Sequence, residues 1–438
     1  MITADNSQHQ LRKTLSPRLL KLINIISEQA AALDVKLYFV GGFVRDLIMG
    51  RPHLDLDFVV DGTRISKDAI DLVSMLVSAY GGKFQAHFPF HTATWVLSDT
   101  FRVECGLDQP PVLLSVDFAS ARTEYYEYPG ALPTVELSDI QHDLKRRDFT
   151  VNAMAFQNDA FTLLDPFDGQ GDIESGVIRV LHDQSFIDDP TRIFRAVRFE
   201  QRYGFKIERH TESLIVEALP YIDHLSGERV RHELDVIFNE DIPEKALTRL
   251  DQLGVLRAID PNLRMTIDTE NAFAEFRHLT ASPQPFPFDK LNAYWSIFLE
   301  PIESIEPIIA RLQMNNATKS DIENVKRIVA FERSAGDMQD SVYVRGIEPF
   351  SEEIEEVVFS IAHVQKLNVK RLALPVRWRK NFNTAIDGSK LIAMGLRSGP
   401  AMGRILRRLR DMWIDDEITS TDQERALVQS WIDNGTFN

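Results

Sequence analysis

Apolar and polar positions follow two rhythms along this chain. In its first part, apolar runs of strand length alternate with stretches of helical spacing. Ser16-Pro17 marks a helix start, Ser as N-cap and Pro at the first helical position, and RLLKLINIISEQAAAL continues it. LYFV then reads as a strand, GGFVRDLIMG as a turn and short helix, and LDLDFVV as a second strand. Asp68 to Tyr80 predicts a helix stopped by Gly81-Gly82, and TATWVLS, FRVECG and VLLSVDFASA predict three successive strands. Beyond about residue 170 the strand signal thins. PTRIFRAVRFEQRYG, ERHTESLIVEALPYI, GERVRHELDVIF and EKALTRLDQLGVL all carry helical spacing, and TASPQPFPFD (Thr280 to Asp289) reads as a loop between helical modules. The pattern predicts an α+β chain with a small mixed β-sheet near its start and an all-α remainder.

With 438 residues, the chain is long enough for about two to four domains. Its 44% apolar and 26% charged residues suit a water-soluble globular protein. Cys105 is its one cysteine, so no disulfide framework can form within it and a reducing compartment is expected. The opening MITADNSQHQLRKTLSP lacks the apolar core of a signal peptide, and no apolar run reaches membrane-spanning length. These features predict a cytoplasmic protein with no membrane partner. A net charge of −16 argues weakly against a nucleic-acid partner, but its distribution matters more. Lys366 to Arg410 holds twelve Lys or Arg against one acid, Asp387; Arg192 to Arg209 is also basic, while SEEIEE (Ser351 to Glu356) is acidic. Basic faces can still meet RNA.

Within LYFVGGFVRDLIMGRPHLDLDFVVD, Asp55 and Asp57 stand two residues apart and so project from one face of a strand, with Leu54, Leu56 and Phe58 turned to the core. Two carboxylates about 7 Å apart repel unless a cation sits beside them. Mg²⁺ takes few protein carboxylates and completes its shell with water and substrate phosphates. A pair of solvated aspartates on an edge strand is the plainer alternative, because DxD is short and common. Gly41-Gly42, between a strand and a helix, lets the backbone approach phosphate oxygens, and Arg45 adds charge one turn in. Asp117, in LLSVDFASARTE, is a candidate third carboxylate from a neighbouring strand.

GGFVRD…DLDF, RRDFTVNAMAF (Arg146 to Phe156), LLDPFDGQGDIESGVIRV (Leu163 to Val180), DDPTRIFRAVRF (Asp188 to Phe199) and GERVRHEL (Gly227 to Leu234) follow one another in order. In this order the chain resembles the class II tRNA nucleotidyltransferase family, which spans CCA-adding, CC-adding and A-adding enzymes and bacterial poly(A) polymerases. The tail DGSKLIAMGLRSGPAMGRILRRLRDMW is similar to the C-terminal region of CCA-adding enzymes. The resemblance implies a nucleotidyltransferase head at 1–172, a base-recognising neck at 173–238, a helical body at 239–335 and a tRNA-binding helical tail at 336–438. It implies Asp55 and Asp57 as the Mg²⁺ pair and Gly41, Gly42 and Arg45 as contacts to the incoming CTP or ATP. Arg147 matches a phosphate contact and Asp148 a ribose contact, with Asn152 in the same motif. Asp189 and Arg192 match the pair that reads the base, and Arg195 and Arg198 continue their helix.

Asp189 and Arg192 are three apart, a spacing that places both on one helix face. A carboxylate accepts from cytosine N4 or adenine N6, arginine donates to ring nitrogens and carbonyls, and uracil and guanine present a carbonyl where the amino group should be. A protein pair can thereby admit C and A without a template. The chain departs from the family at Asp188, where Glu is common, and in TEYYEYPGALPTVE after Arg122, which lacks the basic DHRRP-like segment of many enzymes that add all three nucleotides. Full CCA addition, CC-only and A-only addition all stay open; poly(A) polymerase is disfavoured, and a non-catalytic RNA-binding relative is the alternative of a different class. Arg404, Arg407 and Arg408 are the candidate tRNA contacts of the tail.

Overall fold

A computed structural model of the protein describes residues 15–51, 56–62, 66–110, 112–158, 162–281, 289–348, 355–372, 374 and 385–437. The chain divides into two compact units, Met1–Leu234 with Arg249–Ile259 and Asp235–Thr248 with Asp260–Asn438.

In the first unit the strands are β1 (Lys36–Val40), β2 (Asp57–Asp61), β3 (Lys83–His87), β4 (Thr92–Val96), β5 (Ser115–Ser120), β6 (Arg122–Tyr125), β7 (Thr134–Leu137), β8 (Ala155–Gln157) and β9 (Leu163–Leu164). Among the described residues, seven of them form one sheet in the order β3-β4-β5-β2-β1-β8-β9, and β6 and β7 form a separate hairpin. Only β2 and β5 run parallel in the large sheet, so it is mixed as the pattern predicts. Phe39, Phe58 and Phe118 stack across one face, with ring centroids 4.7 and 5.3 Å apart. Leu22, Ile23 and Ile26 of helix α1 (Pro17–Ala32) and Leu72, Val73 and Leu76 of helix α2 (Ala69–Tyr80) share that core. Each such side chain, fully buried, stabilises the fold by about 1.5–3 kcal/mol. On the other face Tyr38, Val40, Val59 and Ala155 pack with Ile140 and Leu144 of helix α3 (Ile140–Lys145).

One sequence expectation fails here. FRVECG does not extend as a strand: Asp99–Cys105 is a helix, capped by Ser98 Oγ accepting from Phe101 N at 3.2 Å and closed by Gly106 in the left-handed region. The local cap overrides the β-branched, aromatic composition. After Ser175, the first unit adds two two-residue strands, Val177–Ile178 and Lys206–Ile207, paired in parallel; its other described elements there are helical or 3₁₀.

The second unit is helical among the described residues. Phe238 sits in a cluster with Phe273, Tyr294, Trp295 and Phe298, and Trp295 Nε1 donates to Asp235 Oδ1 at 2.7 Å. Near the C-terminus a small core of Ile386, Leu391, Ile405, Leu409, Ile418 and Val428 joins three helices, Gly388–Ala393, Pro400–Ile414 and Thr421–Asp433. Buried Glu424 accepts from Ala385 N and Ile386 N at 3.0 and 3.1 Å. No described helix is long and apolar enough to cross a membrane.

Candidate active site

A cavity of about 500 Å³ in the first unit gathers Gly41, Gly42, Arg45, Asp57, Arg147, Asp148, Asn152, Asp189, Arg192, Arg195 and Arg198. Eleven of the residues singled out in the sequence thus share one wall, although they come from segments more than a hundred positions apart. Asp55 lies outside the described residues. Asp117 stands in register with Asp57 on the parallel neighbour β5, and both lie on the sheet face opposite Phe58 and Phe118. Its Oδ1 accepts from Thr94 Oγ1 at 2.5 Å, and it is not among the residues that line the cavity.

At the Asp57 end, β1 stops at Val40 and the helix Gly41–Ile48 begins at once. Gly41 has φ +64°, and a Cβ there would lie 3.1 Å from Arg147 Nη1 and 4.0 Å from Asp57 Oδ2. Any other residue would be strained and would crowd the gap between a guanidinium and a carboxylate. Arg147 is held from behind: Nη2 and Nε donate to Asp143 Oδ2 at 2.9 and 3.3 Å. Asp143 is fully buried, and its Oδ1 accepts from Arg146 Nε and Nη2 at 3.0 and 2.7 Å. Burial alone would raise the Asp143 carboxyl, but the two arginines hold it below the usual carboxylate range. Arg45 is buried, donating Nη1 to Asn152 Oδ1 at 2.7 Å and Nε to Asp46 Oδ1 at 2.8 Å, with Phe199 and Tyr203 rings 5.2 and 4.7 Å away.

Asp148 joins the two ends. Its Oδ1 accepts from Phe149 N and Asn152 Nδ2, both at 2.9 Å, and its Oδ2 from Arg195 Nε and Nη2 at 2.9 and 2.6 Å. Four donors fill a carboxylate's acceptor sites. Burial would raise its pKa, but Arg195 and the hydrogen bonds from Asn152 and Arg195 dominate and lower it to about 2.

Asp189 and Arg192 both line the cavity, but not as neighbours on one helix. Asp189 is extended, at φ −137° and ψ 93°, ending the turn Ser185–Asp188; the helix α4 (Thr191–Tyr203) begins after Pro190. A residue before proline is driven out of the helical region, so the three-residue spacing does not place Asp189 on the helix face of Arg192. Asp189 Oδ1 accepts from Thr191 N and Oγ1 at 3.2 and 2.7 Å and from Arg229 Nη2 at 2.8 Å. Arg192, 6% exposed, donates Nη1 to Ser185 Oγ and Nη2 to the Arg146 carbonyl, both at 2.8 Å. Asp188 does not hold the Arg192 guanidinium through any of these bonds; burial raises its carboxyl, against His182 and Arg192.

Six further residues line the cavity without a role assigned from the sequence: Glu124, Tyr126, Arg146, Thr191, Phe199 and Glu233. Glu233 belongs to GERVRHEL, a segment noted for its resemblance but given no role, and burial raises its carboxyl despite nearby Arg195 and Arg198. Glu124 and Tyr126 fall in the atypical segment after Arg122. In the tail, Arg404, Arg407 and Arg408 lie on the exposed side of Pro400–Ile414, while Ile405 and Leu409 face the core. Arg404 Nη2 donates to the Phe437 carbonyl at 2.7 Å, and Arg408 pairs with Glu417 at 3.0 Å.

For a metal, the donor chemistry fits in kind. Asp57 offers a hard carboxylate at the cavity wall, and Asp117 is in register beside it. Among the described residues no group of three or more His, Cys, Asp and Glu could hold a metal ion. Nucleotidyltransferases generally use a divalent metal.

Two segments match known families: residues 37–179 the Poly A polymerase head domain, and 204–267 the "Probable RNA and SrmB- binding site of polymerase A". The A-adding tRNA nucleotidyltransferase of Halalkalibacterium halodurans is 33% identical, over 91% of this chain and 89% of the relative. That of Geobacter sulfurreducens is also 33% identical, over 96% of this chain but 48% of the relative, so the chain spans about half of that protein. A solved CCA-adding enzyme in complex with ATP superimposes with a TM-score of 0.75 at 27% identity, covering 98% of both chains. Matched along nearly its whole length in sequence and fold, the chain belongs to the class II tRNA nucleotidyltransferase family.

Proposed function

We propose that the protein transfers nucleotides, C and/or A from CTP and ATP, to the 3′ end of tRNA without a template. One observation carries this reading: a single cavity holds both a carboxylate-and-glycine end suited to phosphates and an Asp–Arg end suited to a base. Asp57, with Asp55, would hold Mg²⁺, which supplies charge stabilisation at the transferring phosphoryl group and activates the attacking hydroxyl. Gly41 leaves room for phosphate oxygens, and Arg147, fixed by Asp143, supplies positive charge beside them. Arg192 donates to the base's ring-nitrogen and carbonyl acceptors, while Asp189 accepts its exocyclic amino group. Three donors already occupy Asp189 Oδ1, so Oδ2 is the oxygen left to read that amino group. Asp148 serves by holding Arg195 and Asn152, its own acceptor sites being filled.

Within this reading we favour terminal A addition. Both 33%-identical relatives are named A-adding enzymes, and the segment after Arg122 lacks the basic residues of many enzymes that add all three nucleotides. The test uses tRNAs ending in the discriminator base, in C, or in CC, each incubated with CTP, ATP and Mg²⁺ and sequenced at the 3′ end. A single A on the CC-ended tRNA alone supports A addition. Completion of all three ends would replace it with full CCA synthesis, and no addition to any would overturn the enzymatic reading.

A further inference from the structure

Two aromatic rings line the cavity, and they differ in what covers them. Phe199 is only 5% exposed, with the guanidinium carbons of Arg45, Arg195 and Arg198 at 5.1–5.5 Å from its centroid and the Phe149 ring edge-to-face with it at 5.9 Å between centroids. Its surface is spent within the protein. Tyr126 is half-buried, and among the described residues no ring or guanidinium lies against it. Its hydroxyl is anchored, donating to Glu124 Oε2 at 3.1 Å. Glu124 Oε1 accepts from Arg146 Nη1 at 2.8 Å and from Arg122 Nε and Nη2 at 3.2 and 3.0 Å. The Arg146 carbonyl in turn accepts from Arg192. The segment beyond Tyr126 is also tied down: Gly130 N donates to the Asp188 carbonyl at 3.2 Å, and the Gly130 carbonyl accepts from Arg229 Nη1 at 2.7 Å. The same arginine holds Asp189.

We infer that Tyr126 is the platform on which the base of the incoming nucleotide stacks, held in register with Arg192 through Glu124 and Arg146. This rests on the reading that the cavity takes a nucleoside triphosphate. Asp189 and Arg192 meet a base along its edge, and edge hydrogen bonds alone leave the plane of the heterocycle free to tilt. An anchored ring beside them fixes that plane. Every base has a π-face, so stacking adds affinity, about tenfold or more, with little discrimination. The two tasks are thereby separated: Tyr126 holds, and the Asp–Arg pair chooses.

The experiment compares wild type, Tyr126→Phe and Tyr126→Ala by calorimetric titration with ATP, CTP and tripolyphosphate, beside the incorporation ratio of ATP to GTP. Tyr126→Ala should weaken ATP and CTP by about tenfold or more, leaving tripolyphosphate binding and the incorporation ratio unchanged. Tyr126→Phe, which keeps the ring, should bind both nucleotides within about threefold of wild type. The inference is overturned if Tyr126→Ala binds ATP like wild type. It is equally overturned if ATP and tripolyphosphate weaken together, since the ring would then only maintain the cavity's shape. Wild type binding tripolyphosphate but neither nucleotide would instead sink the reading of the cavity itself, and this inference with it.

Discussion

At one end of the cavity, the groups placed to meet phosphate come from adjacent backbone. Gly41 follows β1 directly and Asp57 opens its neighbour β2, so strand pairing alone brings them together. At the other end, side chains hold side chains. Asp189 depends on Arg229, 40 positions away, and Arg192 on the Arg146 carbonyl, 46 positions away. The first arrangement follows from local structure and tolerates change around it. The second is assembled from several segments, and each supporting bond is a place where selectivity can be lost without loss of the fold. Asp143 and Asp148 couple the ends, one between Arg146 and Arg147, the other between Asn152 and Arg195.

This contrast can be broken at its strong end first. Asp57→Ala should remove several kcal/mol of transition-state stabilisation, about a thousandfold in turnover, from CTP and ATP alike. Thermal melting should be nearly unchanged, because Asp57 is not part of the apolar core. Near-normal turnover would show that the chemistry is done elsewhere.

A weaker and different effect is expected at Arg229. Arg229→Ala should leave turnover with the preferred nucleotide within about tenfold while preference over UTP falls by a similar factor, because an unheld carboxylate loses its aim. Parallel single-nucleotide incorporation assays measure this. An equal loss for all nucleotides would make Arg229 a mere structural strut.

The coupling between the ends has a pH signature. Asp148 titrates at about 2 in the folded protein, below its ordinary value of 3.8, so its pairing stabilises the fold above pH 4. That contribution is lost as pH falls through about 4 towards 2, on the order of 2 kcal/mol for this group. Urea midpoints of wild type and Asp148→Asn should therefore converge over that window. Parallel curves would mean that the pair contributes nothing.

The smallest effect is expected in the tail. Replacing Arg404, Arg407 and Arg408 with Ala should weaken tRNA binding and flatten its dependence on log salt by up to about 0.9 per lost phosphate contact. Nucleotide affinity should not change. An unaltered slope would assign these arginines to pairing within the chain, as Arg408 already pairs with Glu417.

The same division explains what could be read from the sequence. The strand–GG–helix turn and the Asp57 strand are local features, and period-two alternation correctly turned Phe58 inward and Asp57 to the other face. In FRVECG the composition favours a strand, while the Ser98 cap and Gly106 stop decide for a helix. Spacing alone puts Asp189 on a helix, and Pro190 excludes it. Glu124, Tyr126 and Glu233 reach the cavity only through tertiary packing. No periodicity marks them, although one of their segments departs from the family pattern and the other matches it.

The most direct test of the divided cavity is incorporation from CTP, ATP, UTP and GTP, each alone, onto tRNAs with incomplete 3′ ends, by wild type and Asp189→Ala. Wild type should use only C and/or A. In Asp189→Ala, use of the preferred nucleotide should fall, with exclusion of UTP or GTP relaxed by about tenfold or more, since the acceptor that penalises a carbonyl is gone. If Asp189→Ala keeps its full preference, the base is read elsewhere and the cavity is not divided between phosphate binding and base choice.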